Sequence, residues 1–229
     1  MDRVCLRVEK MKNIFGWISC FSLLLFAVPQ IAESKDIDSS ALDILGFHVG
    51  GFQTLKDVAS RLGETSYWKT GDAGDAASKI CYRIPGEIGD TILVFGSDTE
   101  MASQNGQINF IQIIGPGGSF TEQQNCSPLH SSVAQPLVAS NGLRLGMSLA
   151  EVTSIYGKAT SFKGGLAQFS SCHKRYLLES DPYFKRWVGK AGCFEDPSRP
   201  YFDECSLVKV YFKRGRAISI TVSMNQSVC

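Results

Sequence analysis

The chain has 229 residues, with 23 basic and 22 acidic side chains giving a formal net charge of +1, and 44% of its residues are hydrophobic. A nearly neutral chain lacks the basic field that non-specific nucleic-acid binding requires, so that class of partner is excluded. The length suits one compact domain or two small ones packed together.

Residues 1–34 read as a signal peptide. Lys10 and Lys12 precede an apolar run from Ile14 to Val28, Pro29 ends it, and Ala32-Glu33-Ser34 offers small residues for cleavage. Met11 is an alternative start, since Met11-Lys12-Asn13 is a more usual beginning. The apolar run is short for a membrane span of about 20 residues, which favours cleavage over a retained anchor. Its removal takes four basic and three acidic residues and leaves 19 of each. The predicted location is therefore periplasmic or secreted, with no stable membrane span after signal removal.

Lys35–Leu45 is a polar lead-in, and Asp43–Val49 is predicted to be a first strand. Thr54-Leu55-Lys56-Asp57-Val58-Ala59-Ser60-Arg61-Leu62-Gly63 then reads as a short helix with both ends marked. Thr54 is an N-cap whose side-chain oxygen accepts from an orphan backbone N–H, and Asp57 reaches back from the third helical position. Leu55, Val58 and Leu62 share one face, and Gly63 is placed to end the helix. Strands are predicted at Thr65–Lys69, Lys79–Ile84, Thr91–Phe95 and Ile108–Ile114, the last following the turn signal Asn105-Gly106. In a strand, one ring of Tyr67-Trp68 should face the helix and the other the opposite side. Gly71–Ala77 is a small-residue loop; its Asp72 and Asp75 suit a solvated loop better than a weak Ca²⁺ site. Residues 127–141, rich in Ser, Pro and Gln, read as a linker.

Ser148-Leu149-Ala150-Glu151-Val152-Thr153-Ser154-Ile155-Tyr156-Gly157 repeats the first helix without a gap. Ser148 and Glu151 make a capping box, and Leu149, Val152 and Tyr156 form the apolar stripe. Strands follow at Thr160–Phe162, Gln168–Ser171, His173–Leu178, Leu207–Lys213 and Ala217–Met224, the last two flanking Arg214-Gly215. The expected fold is α+β: two tandem helix-plus-antiparallel-sheet repeats, 35–126 and 142–229, with short helices packed on one sheet face.

Six cysteines remain after the signal, an even count that reads as disulfides behind a secretory leader. Six allow 15 pairings. Equivalent positions in the repeat point to Cys81–Cys126 and Cys172–Cys229, which leaves Cys193–Cys205. Each of the first two would contribute about 4 kcal/mol in the chain-entropy model. A metal site is disfavoured because there is no CxxC and the cysteines are scattered; no cofactor is predicted.

The second unit departs from the first by an insertion at 180–205. Its Tyr183, Phe184, Arg186, Trp187, Phe194, Tyr201 and Phe202 are the residue types that anchor interfaces, and they are the candidate binding residues. The competing expectation is that these rings cap one end of the sheet.

Gly146-Met147-Ser148-Leu149-Ala150-Glu151-Val152, closing on Tyr156-Gly157 and followed by strands, resembles a small envelope module. That module occurs once in a lipoprotein of the bacterial outer-membrane barrel-assembly machinery and twice in the β-lactamase inhibitory protein family. The resemblance implies small helices on one face of an antiparallel sheet, the other face being available to a partner, and assigns no contact residue to this chain. The expected function is thus a non-catalytic, inhibitor-like module that binds another protein. A structural component of the cell envelope is the alternative. A secreted hydrolase built on His173 or His48 is a weaker one, because neither His130 nor these two sits in a metal-binding or triad pattern. No catalytic residue is assigned, and the sequence does not specify an oligomeric state.

Overall fold

Both helices form where their caps dictate. The computed structural model of the chain describes residues 35–37, 43–70, 77–97, 106–120, 125–129, 137–180, 188 and 198–227. In α1 (Leu55–Leu62), Thr54 Oγ1 accepts from the Asp57 N–H at 3.3 Å, and the Thr54 N–H donates to Asp57 Oδ2 at 2.8 Å. In α2 (Leu149–Tyr156), Ser148 and Glu151 repeat the exchange at 3.3 and 2.7 Å. The chain leaves each helix at a glycine with positive φ, Gly63 at 106° and Gly157 at 77°. Helices of eight residues are too short to persist alone in water, so their stability comes from the buried Leu55, Val58, Val152 and Tyr156.

Ahead of α1, the predicted strand Asp43–Val49 is instead a tight hairpin, β1 (Asp43–Ile44) and β2 (Phe47–His48). Leu45 and Gly46 turn the chain with φ of 58° and 73°, and Asp43 Oδ1 accepts from the Gly46 N–H at 3.0 Å. Aspartate's capacity to bond its own downstream backbone favoured a turn over an extended strand.

The remaining strands are β3 (Tyr67–Thr70), β4 (Ala77–Ile84), β5 (Thr91–Ser97), β6 (Phe110–Ile114), β7 (Ser127–Pro128), β8 (Ser161–Lys163), β9 (Leu166–Tyr176), β10 (Tyr201–Lys213) and β11 (Arg216–Ser227). They make one sheet in the order β3-β4-β5-β6-β11-β10-β9-β8, antiparallel throughout, with β7 added in parallel beside β4. The α+β expectation of two tandem helix-plus-sheet repeats is overturned: the protein is mostly β, with two short helices on one large antiparallel sheet. The reason lies at the β6–β11 seam, where Ile111 and Ile113 pair with Val222 and Ile220. All four are buried, so the strands that end each half are central strands of a shared sheet. Residues Ala32–Cys229 form one compact unit.

Two predicted strands, Gln168–Ser171 and His173–Leu178, are the single strand β9. It pairs with β10 over its whole length, from Leu166↔Tyr211 to Tyr176↔Tyr201.

Alternation sorts the side chains. The helix-bearing face carries Ile80, Tyr82, Leu93, Phe95, Ile111, Ile113, Val222, Ile220, Val210, Val208, Phe169 and Ala167, all part of the main core with α1, α2 and β2. Phe47 and Tyr82 both approach Phe95 edge-on, with centroids 5.2 and 6.4 Å away. Burial of each such side chain contributes about 1.5–3 kcal/mol. Tyr82 Oη donates to the Gly63 carbonyl at 2.7 Å, and burial, with a smaller push from Glu64, raises its phenol well above the usual range. Tyr67 packs on this core while Trp68 packs on the other face, the split that strand geometry requires.

Candidate binding face

Among the described residues, the second face of the sheet is covered over one half and left open over the other. Over β3–β6, the segment after β6 folds back across it. Cys81, Ile92, Val94, Ile114 and Cys126 are buried there beside Trp68, Phe110 and Phe120. Phe120 lies 6.2 Å from Trp68, and the Cys81–Cys126 disulfide ties the returning segment to β4.

Over β11, β10, β9 and β8, no described residue lies on this face in the same way. Register places Thr221, Lys209 and Gln168 in one row across three strands, with Ser219, Tyr211 and Leu166 in the next. Tyr211, near the hairpin end of β10, is 43% exposed. A groove between Gly117–Ser119 and the pair Tyr211 and Lys213 marks the boundary of the covered half. At the far end, Tyr176 meets Tyr201 edge-on at 5.7 Å. Lys174 Nζ sits 4.4 Å from the Tyr201 ring centre and the Arg199 guanidinium 4.7 Å from that of Tyr176. The strand alternation also gives this face Lys163 and Lys213, against the single acid Asp203 on the same strands. The open half is therefore basic and carries three tyrosines, the pairing of amphipathic ring and cation that interfaces use.

Opposite it, on the helix-bearing face, the ends of β9, β10 and β11 hold a polar cluster. Glu204 is 7% exposed. Arg175 Nε and Gln226 Nε2 both donate to its Oε1, the latter at 2.8 Å, and His173 Nε2 lies 3.3 Å from its Oε2. The Arg175 guanidinium also lies 5.3 Å from the centre of the Phe202 ring. A buried carboxylate needs such partners, because an unpaired one would carry a large desolvation penalty. Among the described residues no hydroxyl bonds the His173 ring: Ser171, two residues away on that face, accepts from the Ile37 N–H at 3.0 Å instead.

Of the interface residues expected from sequence, Tyr201 lies half-buried on the open face, whereas Phe202 is 8% exposed and faces the other way beneath Arg175. Tyr183, Phe184, Arg186, Trp187 and Phe194 lie outside the described residues, as do His130, Asp72, Asp75 and the segment 1–34. Strand β10 begins at Tyr201, so Tyr201–Cys205 is sheet and not loop. Tyr211, Tyr176, Lys209 and Lys174 were not singled out by sequence. Their alternation with Val208, Val210 and Arg175 is the signal that could have placed them on one face.

The pairing expected for Cys172–Cys229 and Cys193–Cys205 is corrected. Cys172 bonds Cys205, because the chain after β9 returns as its direct neighbour β10 and sets the two Cα atoms 4.1 Å apart in register. Cys193 and Cys229 lie outside the described residues. Cys81–Cys126 is as expected. Two disulfides are consistent with an extracytoplasmic protein. Among the described residues no helix is long and apolar enough to cross a membrane, and no group of three His, Cys, Asp or Glu could hold a metal.

Comparison with family models, with curated proteins and with solved structures finds no match.

Proposed function

We propose that the protein is a non-catalytic binding module of the periplasm or cell exterior, and that the open half of its sheet takes an acidic surface of another protein. The observation that carries this reading is Tyr211, 43% exposed on the uncovered face near the hairpin end of β10, with Lys209 and Lys213 flanking it along the strand. A sheet face with no binding role would more usually be polar and ring-free or be covered, as the β3–β6 half is by Phe120 and its neighbours. Lysines beside an exposed tyrosine supply steering and a desolvated anchor together. The helix-capping motif shared with envelope binding modules agrees with the reading but adds no contact residue to it.

A photo-crosslinking residue placed at Tyr211 and, separately, at Phe52 tests it. Phe52 is 94% exposed, two residues from Gly50, which abuts Met224 on the helix-bearing side. A discrete acidic partner captured from position 211, lost at position 52 and weakened roughly tenfold by Lys209→Glu, supports the proposal. Equal capture from both positions, or indifference to Lys209→Glu, overturns it.

A hydrolase built on His173 has one observation in its favour, the Glu204 carboxylate at 3.3 Å. It weighs less, because the other oxygen of Glu204 is held by Arg175 and Gln226 and no described hydroxyl bonds the ring. Unchanged turnover of ester and peptide probes on His173→Ala would remove this reading.

A further inference from the structure

The two disulfides among the described residues occupy opposite surroundings. Cys81 and Cys126 are 0% and 5% exposed, enclosed by Ile92, Val94, Ile114 and the rings of Trp68, Phe110 and Phe120. Cys172 is exposed and Cys205 half-buried, and their bridge lies on the open sheet face. Thiol–disulfide exchange proceeds by attack of a thiolate on one sulfur, so its rate depends on whether that sulfur can be approached. Only the second bridge offers such an approach.

The strand pairing around it extends well beyond the sulfur bridge on both sides. Cys172 and Cys205 are register partners within the β9–β10 ladder, which continues through Ser171↔Ser206 to Leu166↔Tyr211 on one side and through His173↔Glu204 to Tyr176↔Tyr201 on the other. The backbone hydrogen bonds of that ladder hold the strands together whether or not sulfur joins them. By contrast, Cys81–Cys126 pins the short strand β7 and the segment before it against β4, where only Tyr82↔Ser127 and Arg83↔Pro128 pair. Lys174 and Asp203 face each other one pair removed from His173↔Glu204 and offset one another in charge, so access, not electrostatic activation, sets the difference.

We propose that Cys172–Cys205 is a thiol-exchange site that takes a low-molecular-weight thiol. The thiolate attacks the Sγ of Cys172, the more exposed of the two residues, a new S–S bond forms there, and the Cys172–Cys205 bond breaks with Cys205 leaving as thiolate. A second thiolate attacks the added sulfur and releases Cys172. Two small thiols are oxidised to one disulfide, one protein disulfide is reduced to two cysteines, and the protons of the small thiols pass to the cysteine thiolates. The ladder remains, so the protein persists as a folded, reduced form with two free thiols on its open face.

The test uses the full chain, without denaturant, incubated with increasing reduced glutathione and quenched in acid. Free thiols are then alkylated and each cysteine is read separately by peptide mass spectrometry. The expected result is alkylation of Cys205 and a glutathione adduct on Cys172 at concentrations about tenfold or more below those that open Cys81–Cys126. Far-UV circular dichroism of that selectively reduced form should match the oxidised protein. Opening of both bridges together, opening of Cys81–Cys126 first, the adduct on Cys205 in place of Cys172, or loss of the strand signal on reduction would each overturn the proposal.

Discussion

Gly96 lies directly beneath the ring of Phe110. The two are register partners on β5 and β6, and a Cβ at position 96 would stand 1.9 Å from Cζ of the ring. The ring folds across the bare backbone of its neighbour and completes the small cluster on the covered half-face, with Lys79 Nζ 5.9 Å from its centre. Gly96→Val should displace the ring and cost about 1–3 kcal/mol, the range for forcing extra methyl groups into a packed site. In a Phe110→Ala background the space is free, so the same substitution should cost little or stabilise. Urea unfolding midpoints of the four proteins check this. An equal loss in both backgrounds would detach the glycine from the ring.

The two capping boxes predict matched effects at separate helices. Ser148→Ala and Thr54→Ala should each lower stability by about 1 kcal/mol. The Ser148 backbone N–H first, and then its hydroxyl, hold the Glu151 carboxyl below the usual carboxylate range, and Thr54 does the same for Asp57. A carboxyl whose folded pKa is depressed contributes stability above its unfolded value and loses it as pH falls through the folded one. The gap between wild type and Glu151→Gln should therefore be present at neutral pH and close as the solution is taken below about pH 4. Urea midpoints across that range measure it; a gap independent of pH would contradict the assignment.

Those caps were also the part of the fold most legible in sequence, because a cap is local: Ser148, Glu151 and Gly157 declare a helix within ten residues. Strand positions were legible for the same reason, from alternation. What failed was the grouping of strands. Nothing local in Ile111 and Ile113, or in Ile220 and Val222, distinguishes the edge of a small sheet from the middle of a large one. The pairing that merges the halves is set by residues more than a hundred positions apart. The cysteines erred by the same route, since equivalence between halves was used where adjacency of β9 and β10 decided. Glu204 was passed over because it fell inside the expected insertion at 180–205, ahead of the predicted strand Leu207–Lys213. Only the sheet shows that it falls in the same row as buried Val208 and Ser206.

Glu204 makes an asymmetric prediction. Its side chain is 10% exposed, while that of Arg175 is 42% exposed. Removing the carboxylate lets Arg175 turn toward water, whereas removing the guanidinium leaves a buried carboxylate with fewer partners. Arg175→Ala should therefore cost more than Glu204→Gln, on the order of 2 kcal/mol against 1 or less. The double variant should be more stable than Arg175→Ala alone, because a neutral amide no longer requires the cation. A double variant that simply sums the two losses would show that the contact carries no coupling.

Tyr156 should govern part of the alkaline limit. Its ring is 3% exposed and lies 5.3 Å from Phe169, and Asn141 Nδ2 donates to its Oη at 2.6 Å. Burial pushes the phenol up to about 12 from an ordinary 10.0, and the Asn141 bond, which favours the phenolate, offsets only part of that. The folded state therefore keeps a proton that the unfolded chain has given up. With a raised folded pKa, the stabilisation is fully present below about 10 and is lost as pH rises toward about 12. Tyr156→Phe carries no proton to lose, but forfeits the hydrogen bond at every pH, for about 1 kcal/mol at neutrality. Wild type should thus lead the variant at neutral pH and lose that lead across the alkaline window. Tyr82 and the lysines titrate in both proteins, so they cancel in the difference. Urea midpoints that run parallel from neutral pH through the alkaline window would mean that the Tyr156 hydroxyl reaches water in the folded protein.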